Sequence, residues 1–257
     1  TGSTGSRQWQ SSTDNINFTN IAGTTGTTFT AANLSTTTFY RCVLSSGVCT
    51  PVTSNSVAVT VTPQPVAGTI SGNNTLCSGT NTTTLTLSGH TGTIQWQQQI
   101  NGTFQNISGA NAATLTRNNL TATTTYRAVL TSGPCTSATT APFTVTVNPV
   151  SVAGTIAGNN TLCSGNNSTT LTLSGQTGTI QWQEEINGTF ENISGANAAT
   201  LTLNNLTATT TFRAAVTSGT CQTAFTSPFI VTVQPTTVAG TISGPATVCP
   251  GANSVSL

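Results

Sequence analysis

"LCSGTNTTTLTLSGHTGTIQWQ", residues 76–97, is the stretch that decides the fold. In it Leu85 and Leu87, and later Ile94 and Trp96, alternate with threonine and glutamine. Alternation of apolar and polar side chains with a period of two is typical of β-strands that have one buried face. The stretch therefore predicts two strands separated by the turn-forming residues SGHTG.

The same stretch returns at residues 162–183 as "LCSGNNSTTLTLSGQTGTIQWQ", 86 residues later. The residues that share this spacing are Cys77, Cys163 and Cys249; Cys49, Cys135 and Cys221; Arg41, Arg127 and Arg213; and, at 87 and then 86 residues, Trp9, Trp96 and Trp182. A solenoid unit usually has about 20–50 residues, so this period indicates a small domain. The chain is divided into two complete repeats, 64–149 and 150–235, a repeat without its N-terminal strands, 1–63, and the first strands of a further repeat, 236–257.

Each complete repeat is predicted to be an all-β sandwich. In the first complete repeat the expected strands are 66–72, 82–88, 93–99, 103–107, 112–116, 124–131 and 142–148, and no segment has helical periodicity. Asn101-Gly102 lies between two of these strands and predicts a type I′ hairpin turn. Short strands of even spacing with turn residues between them are typical of a β-sandwich.

The inward faces of the strands predict the core. Leu85 and Leu87 share one face, and Trp9, Trp96 and Trp182 are expected to fill the centre of their repeats. The segment "LTATTTYRA", 120–128, resembles a tyrosine corner, in which a tyrosine hydroxyl bonds the backbone just upstream. Tyr40 and Tyr126 fit that role, and Phe212 departs from it.

The composition narrows the classes of function. Threonine, a β-branched residue that favours strands, supplies 61 of the 257 residues, whereas only nine residues carry a formal charge and none is lysine. The net charge of +1 provides no basic patch for nucleic acid or an anionic membrane surface. The low charge excludes nucleic acid as a partner. No apolar run reaches the ~20 residues of a membrane span, so direct insertion into a membrane is excluded as well.

Most of the cysteines are expected to form disulfides within repeats. Cys77 and Cys135 are 58 residues apart, as are Cys163 and Cys221, and each pair is predicted to be bonded. Cys49 and Cys249 would then have partners outside this sequence. A metal site is the rival interpretation, but two sulfurs do not complete a zinc shell and no histidine has ligand spacing. Disulfides indicate an oxidising compartment.

Cys42 differs from the other cysteines because Ala128 and Ala214 occupy its place in the other repeats. A small buried apolar residue is the expected role. A reactive or intermolecular thiol is the alternative.

Few residues are suited to catalysis or to cofactor and metal binding. The candidates are His90, Asp14 and three glutamates, Glu184, Glu185 and Glu191. Glu184 and Glu185 are adjacent in a strand and point to opposite faces, which disfavours a glycosidase pair. His90 has no evident orienting partner, and the acidic residues are too few for a calcium shell. No catalytic residue, cofactor or metal ligand is predicted. The threonine arrays also suggest ice binding, which the twist of sandwich sheets disfavours.

The order of motifs resembles a known family. Cys-Ser-Gly, "TLTLSG", "GTIQWQ", "LTATTTYRA", Gly-x-Cys and "FTVTV" follow one another as in the immunoglobulin-like repeats of very large Bacteroidota surface proteins. That family includes adhesins exported by type IX secretion, among them the mobile adhesins of gliding flavobacteria. The resemblance implies tandem immunoglobulin-like β-sandwiches, an extracellular location attached to the outer membrane, and repeats that form a stalk with the activity elsewhere.

The joints between repeats also favour a stalk. They read "TPQPVAG" (62–68), "NPVSVAG" (148–154) and "QPTTVAG" (234–240), and their prolines limit bending. Each domain with its joint is expected to advance the chain by roughly 35–45 Å. The expected partners are neighbouring repeats and, through lateral association, neighbouring chains.

A binding module is the alternative function. In that case the repeats themselves contact a glycan or a protein. Phe104 and Phe190, near a hairpin tip, are the aromatic candidates for such a contact.

Overall fold

The computed structural model describes residues 5–244, 247, 249–251, 253, 254 and 256, and every regular element in them is a β-strand. The chain divides into two compact units. The first unit contains the described residues up to Asn73 with Thr84–Thr116 and Thr124–Thr144, and the second contains Asn74–Thr83, Arg117–Thr123 and the described residues from Val145 onward.

Residues 5–63 form a single sheet. Its strands are β1 (Ser6–Ser12), β2 (Thr19–Asn20), β3 (Thr38–Ser45), β4 (Val52–Thr53) and β5 (Val57–Val59). Their order is β2-β1-β3-β4, and β5 also pairs with β3. The antiparallel register of β1 and β3 places Trp9 opposite Cys42 and Gln10 opposite Arg41.

The next repeat has nine strands in two sheets. They are β6 (Thr69–Ser71), β7 (Thr75–Cys77), β8 (Thr82–Ser88), β9 (Thr93–Ile100), β10 (Thr103–Asn106), β11 (Thr114–Asn118), β12 (Thr124–Thr131), β13 (Ala138–Thr139) and β14 (Phe143–Asn148). One sheet has the order β10-β9-β12-β14-β7, with β13 on β12, and the other has the order β11-β8-β6.

The third repeat has the same nine strands. They are β15 (Thr155–Ala157), β16 (Thr161–Cys163), β17 (Ser168–Ser174), β18 (Thr179–Ile186), β19 (Thr189–Asn192), β20 (Thr200–Asn204), β21 (Thr210–Thr217), β22 (Ala224–Phe225) and β23 (Phe229–Gln234). The sheets are β16-β23-β21-β18-β19, with β22 on β21, and β15-β17-β20.

The two sheets of the third repeat enclose an apolar core around Trp182. Strand β17 alternates buried and exposed residues along its whole length. The buried cluster consists of Leu162, Leu171, Leu173, Trp182, Leu201, Phe212, Ala214, Val216 and Val231. These residues come from both sheets, so the repeat is a β-sandwich in which the predicted inward faces meet. The described residues are all-β, and the two complete repeats are tandem immunoglobulin-like β-sandwiches.

Several predicted elements agree with the structure. The strands predicted at 82–88 and 124–131 are β8 and β12, with identical bounds. The hairpin turn is confirmed, because Asn101 and Gly102 have φ values of 49° and 80°, as a type I′ turn requires.

The predicted number of strands was too low. The sequence predicts about seven strands for a complete repeat, and each complete repeat in the structure has nine. The extra strands are β7 and β13, of three and two residues, and their counterparts β16 and β22. Strands this short lack a periodic signal, since only their partners in the sheet define them.

Candidate functional site

The parallel pairing of β7 with β14 brings Cys77 to the end of its repeat. In this register Thr75 faces Thr146 and Cys77 faces Asn148. The backbone N–H of Ser78 continues the ladder by donating to Asn148 O at 2.8 Å. Asn148 is the last residue of β14, so the cysteine lies where the chain leaves for the next repeat.

A tight turn presents Cys221 to the same joint. The N–H of Cys221 donates to Ser218 O at 2.9 Å, and Gly219 within the turn has a φ of +54°. The Sγ atom of Cys221 lies 3.4 Å from Pro149 O. The N–H of Ser218 donates to the Ser151 hydroxyl at 3.0 Å. The turn therefore packs on the peptide segment that links the two repeats.

A disulfide joins Cys77 to Cys221 across this joint, with a Cα–Cα distance of 5.4 Å and a sequence separation of 144. The predicted pairs Cys77–Cys135 and Cys163–Cys221 are wrong. In the third repeat Cys163 faces Gln234 at the end of the domain, whereas Cys221 contacts Pro149 at its beginning. The two cysteines of the third repeat thus lie at its opposite ends, and Cys221 is at the joint with the preceding repeat.

Cys135 and Cys163 occupy the same settings as the two bonded cysteines, although both are reduced. The Cys135 Sγ lies 3.4 Å from Thr62 O, as the Cys221 Sγ lies 3.4 Å from Pro149 O. Asn167 donates to Cys163 O at 2.8 Å, as Asn81 donates to Cys77 O at 2.7 Å. Cys135 and Cys163 therefore lie in the same local settings as Cys221 and Cys77, respectively.

The remaining cysteines are also reduced in the described part of the chain. Cys49 and Cys249 are exposed. Cys42 is 8% exposed, which confirms the prediction of a small buried residue. It lies on the inward face of β3 opposite Trp9.

The tryptophans are buried to different degrees. Trp96 and Trp182 have no exposed surface, and their indole N–H groups donate at 2.9 Å to Ala112 O and Ala198 O. Trp9, predicted as a core residue, is only half-buried. The described residues 5–63 form no second sheet to cover it, and the Phe29 ring at 5.8 Å takes part of that place.

The positions of the predicted tyrosine corner all hold buried rings. Tyr40 is 9% exposed, Tyr126 0% and Phe212 1%. Because phenylalanine fills the site as completely as tyrosine, the ring packs there whether or not a hydroxyl is present. The corner hydrogen bond stays a prediction.

A polar cluster, made of an arginine, a phenylalanine, a glutamine and an asparagine, recurs on the outer face of the first three repeats. In the third repeat the Arg213 guanidinium lies 4.0 Å from the centre of the Phe190 ring. Its Nε donates to Gln183 Oε1 at 2.7 Å, and Gln183 donates to Asn192 Oδ1 at 2.8 Å. The equivalent clusters are Arg127, Phe104, Gln97 and Asn106, and Arg41, Phe18, Gln10 and Asn20.

The polar cluster includes Phe104 and Phe190, the two aromatic residues that the sequence analysis names as candidates for glycan binding. One face of Phe104 and of Phe190 is covered by an arginine of the same repeat. A sugar ring would have to stack on the opposite face or displace the arginine.

The candidate catalytic residue Asp14 is bound within its own loop. Asp14 accepts hydrogen bonds from the Ser12 hydroxyl at 2.7 Å and from the N–H groups of Ile16 and Asn17 at 2.8 and 2.7 Å. The bond from Ser12, and then those from Asn17 and Ile16, hold the pKa of Asp14 well below its ordinary range. A carboxylate stabilised in this way closes a loop and is a poor proton acceptor.

Two glutamates meet in a way that the sequence reasoning missed. The β18–β19 register places Glu184 directly opposite Glu191, and Glu185 opposite Phe190. Only the hairpin register, which the Asn187-Gly188 turn fixes, could have revealed this pair. Within the described residues no group of three or more histidine, cysteine or acidic side chains is placed to hold a metal ion.

The described residues include no helix with the length and apolar character needed to cross a membrane.

Comparison with known proteins identifies a family and a fold. A family model described as a domain of unknown function (DUF8696) matches residues 1–63, 66–149 and 152–235. No curated protein matches the chain. A structure of three immunoglobulin domains of titin, an E-to-A mutated variant, matches over 90% of this chain and 88% of its own, with 13% identity and a TM-score of 0.56. This likeness supports the tandem immunoglobulin-like fold.

Two further solved structures are more distant in shape. Murine CEACAM1b is 14% identical over 65% of this chain and 100% of its own, with a TM-score of 0.47. The extracellular domains 3–5 of Drosophila OTK are 14% identical over 91% of this chain and 86% of their own, with a TM-score of 0.41.

Proposed function

The chain belongs to the DUF8696 family, and we propose that it is a structural segment of an extracellular stalk or filament that projects a distal binding or motility function from a cell surface. In this proposal residues 64–149 and 150–235 are complete beads, and 1–63 and 236–257 are parts of two others. Its primary partners are the neighbouring repeats, and its secondary partners are chains that associate laterally.

The observation that carries this proposal is the Cys77–Cys221 disulfide. It bonds one repeat to the next, so it constrains the joint between two beads and not a single core. A joint that is fixed in this way would help a stalk to stay extended. The short proline-bearing joints act in the same direction.

The proposed location is outside the cytosol. A disulfide persists in an oxidising compartment. The motif order quoted above resembles that of Bacteroidota surface repeats, so the proposed protein is an adhesin exported by type IX secretion and attached to the outer membrane, of which gliding adhesins are one kind. No enzymatic activity is assigned, because Asp14 is committed to its loop and the glutamates are solvated strand residues.

Electron microscopy of the protein tests the stalk. A thin beaded thread with one bead for each roughly 35–45 Å is expected, with lateral bundles at high protein concentration. Compact particles whose length does not increase with the number of repeats would contradict the proposal. Single threads at every concentration would contradict only the lateral association.

A binding module is the second candidate, and the repeated polar cluster favours it. The cluster presents an arginine and a phenylalanine on the outer face of each repeat. A glycan array probed with the chain, and with Arg213→Gln as the matched variant, tests this function. Binding that Arg213→Gln weakens supports it, whereas no binding by either chain would contradict a glycan partner.

A further inference from the structure

The Cys77–Cys221 disulfide closes a large covalent loop. The two cysteines are 144 residues apart, so residues 78–220, 143 in number, lie inside the loop. The loop contains β8 to β14 and β15 to β21, and with them Trp96 and Trp182. Strand β23, at Phe229–Gln234, follows the loop.

We propose that this disulfide is a force bypass, which carries tension along the chain past most strands of two consecutive repeats. A pull on the two ends of the chain passes along the backbone to Cys77, crosses the sulfur–sulfur bond and leaves from Cys221. The disulfide connects Cys77 directly to Cys221, so residues 78–220 bear no tension while the bond is intact. Unfolding of these residues therefore does not increase the end-to-end length of the chain. This inference rests on the proposed stalk function, because only a load-bearing protein benefits from it.

The positions of the two half-cystines fit this role. Cys77 ends β7, which pairs in parallel with the last strand of its repeat. Cys221 lies in a turn that contacts the joint at Pro149. The bond is thus placed where one bead passes load to the next. A disulfide within a repeat would protect one core and leave the joint in the path of force.

The cysteine spacing extends the bypass wherever the repeats continue in the same register. The cysteines near the end of a repeat in sequence, which lie in turns, are Cys49, Cys135 and Cys221. Each precedes the cysteine near the beginning of the next repeat by 28 residues, and those cysteines are Cys77, Cys163 and Cys249. With every linkage made, the load path for two repeats is 28 residues and one disulfide, or about 100 Å when fully extended. Two folded repeats already span roughly 70–90 Å, so such a stalk could hardly lengthen.

The further linkages need an oxidant. Cys135 and Cys163 would each bond the cysteine of a neighbouring repeat, and each pair of thiols would give up two protons and two electrons. A small-molecule disulfide such as oxidised glutathione accepts both and is reduced to two thiols.

Single-molecule pulling of the whole chain by its two termini tests the bypass. The oxidised wild-type protein is expected to extend to the length of 114 residues, 1–77 and 221–257. Cys77→Ser is expected to extend to 257 residues, a gain of about 500 Å. Cys163→Ser is the matched control, because it removes the equivalent cysteine in the next repeat without breaking the bond. Wild-type protein pulled before and after a reductant enters the flow cell gives the same comparison without a variant.

The outcomes separate the inference from the function. Extension of the oxidised wild-type chain to 257 residues would overturn the bypass, as would a gain in length with Cys163→Ser, which would indicate bonds within repeats. Either result would leave the stalk to be decided by its appearance in the microscope. If pulling shows the bypass but the microscope shows no thread, the force bypass stands and the proposed stalk function is wrong.

Discussion

At the scale of single residues, the same sequence position has different surroundings in different repeats. Gln98 and Gln105 of one repeat face each other across β9 and β10, and Glu184 and Glu191 do so in the next. Like charges directly opposite each other destabilise an antiparallel pair. The third repeat therefore carries a repulsion that the second avoids.

Glu184→Gln is expected to stabilise the protein by about 0.2–1 kcal/mol, because it removes the repulsion with Glu191. The free energy of unfolding measured in urea at low salt checks this. Glu185→Gln is the control, since Glu185 faces Phe190 and no gain of this size is expected. Equal gains from both variants would show that net charge, and not the cross-strand pair, is responsible.

The tryptophans provide a second test at this scale. Trp182→Ala is expected to cost roughly 3–5 kcal/mol, because it leaves a large cavity in a closed core. Trp9→Ala is expected to cost clearly less, because Trp9 is half-buried. Thermal and urea unfolding of the two variants give the comparison, and losses of the same size would mean that Trp9 is covered as fully as Trp182.

At the scale of elements, an asparagine holds the short strand that ends in a cysteine in each complete repeat, β7 or β16. Asn167 donates to Cys163 O and to Leu206 O, both at 2.8 Å, and its Oδ1 accepts from the Leu206 N–H at 2.9 Å. These bonds tie the end of β16 to the segment after β20. Asn81 makes the same three bonds to Cys77 and Leu120. The same bonds are present at the bonded Cys77 and at the free Cys163, so each repeat positions its cysteine independently of a disulfide.

Asn167→Ala is expected to destabilise the third repeat by roughly 2–3 kcal/mol, because three hydrogen bonds, each worth about 1 kcal/mol, are lost. Amide hydrogen exchange should increase in β16 and in the residues after β20. Asn166→Ala, an exposed neighbour, is the control and should leave both measurements unchanged. Unchanged exchange in Asn167→Ala would refute the anchoring role.

Strand prediction succeeded where the alternation was long. The seven residues of β8 and the eight of β12 each place three leucine, alanine, tyrosine or threonine side chains on one buried face, and such a period can be read directly. Strand β16 has only Leu162 buried among three residues. Its parallel pairing with β23 is a long-range contact, which local alternation does not encode.

At the scale of the whole molecule, the 86-residue period does not determine which cysteines are paired. A spacing of 58 joins cysteines of one repeat, and a spacing of 144 joins cysteines of consecutive repeats. The two differ by one 86-residue period, so both follow the periodicity equally well. The choice depends on the end of the sandwich at which each cysteine lies. That in turn depends on the parallel direction of β7 and β16.

The joint is therefore the feature on which the account of this protein depends. A bond from Cys77 to Cys221 adds a second covalent link between consecutive repeats, whereas bonds within repeats would leave the backbone as their covalent connection. Pairing within a repeat would need both cysteines at one end of the sandwich, whereas the parallel pairing of β16 with β23 holds Cys163 at the end of the repeat opposite to Cys221.

Peptide mapping without reduction tests this most directly. After free thiols are blocked, cleavage at the arginines separates Cys77 in peptide 42–117, Cys135 and Cys163 in peptide 128–213, and Cys221 in peptide 214–257. The structure predicts that 42–117 is bonded to 214–257 and that 128–213 is released with both of its thiols blocked. Recovery of 128–213 bonded to both of the other peptides would contradict the inter-repeat disulfide and restore pairing within repeats.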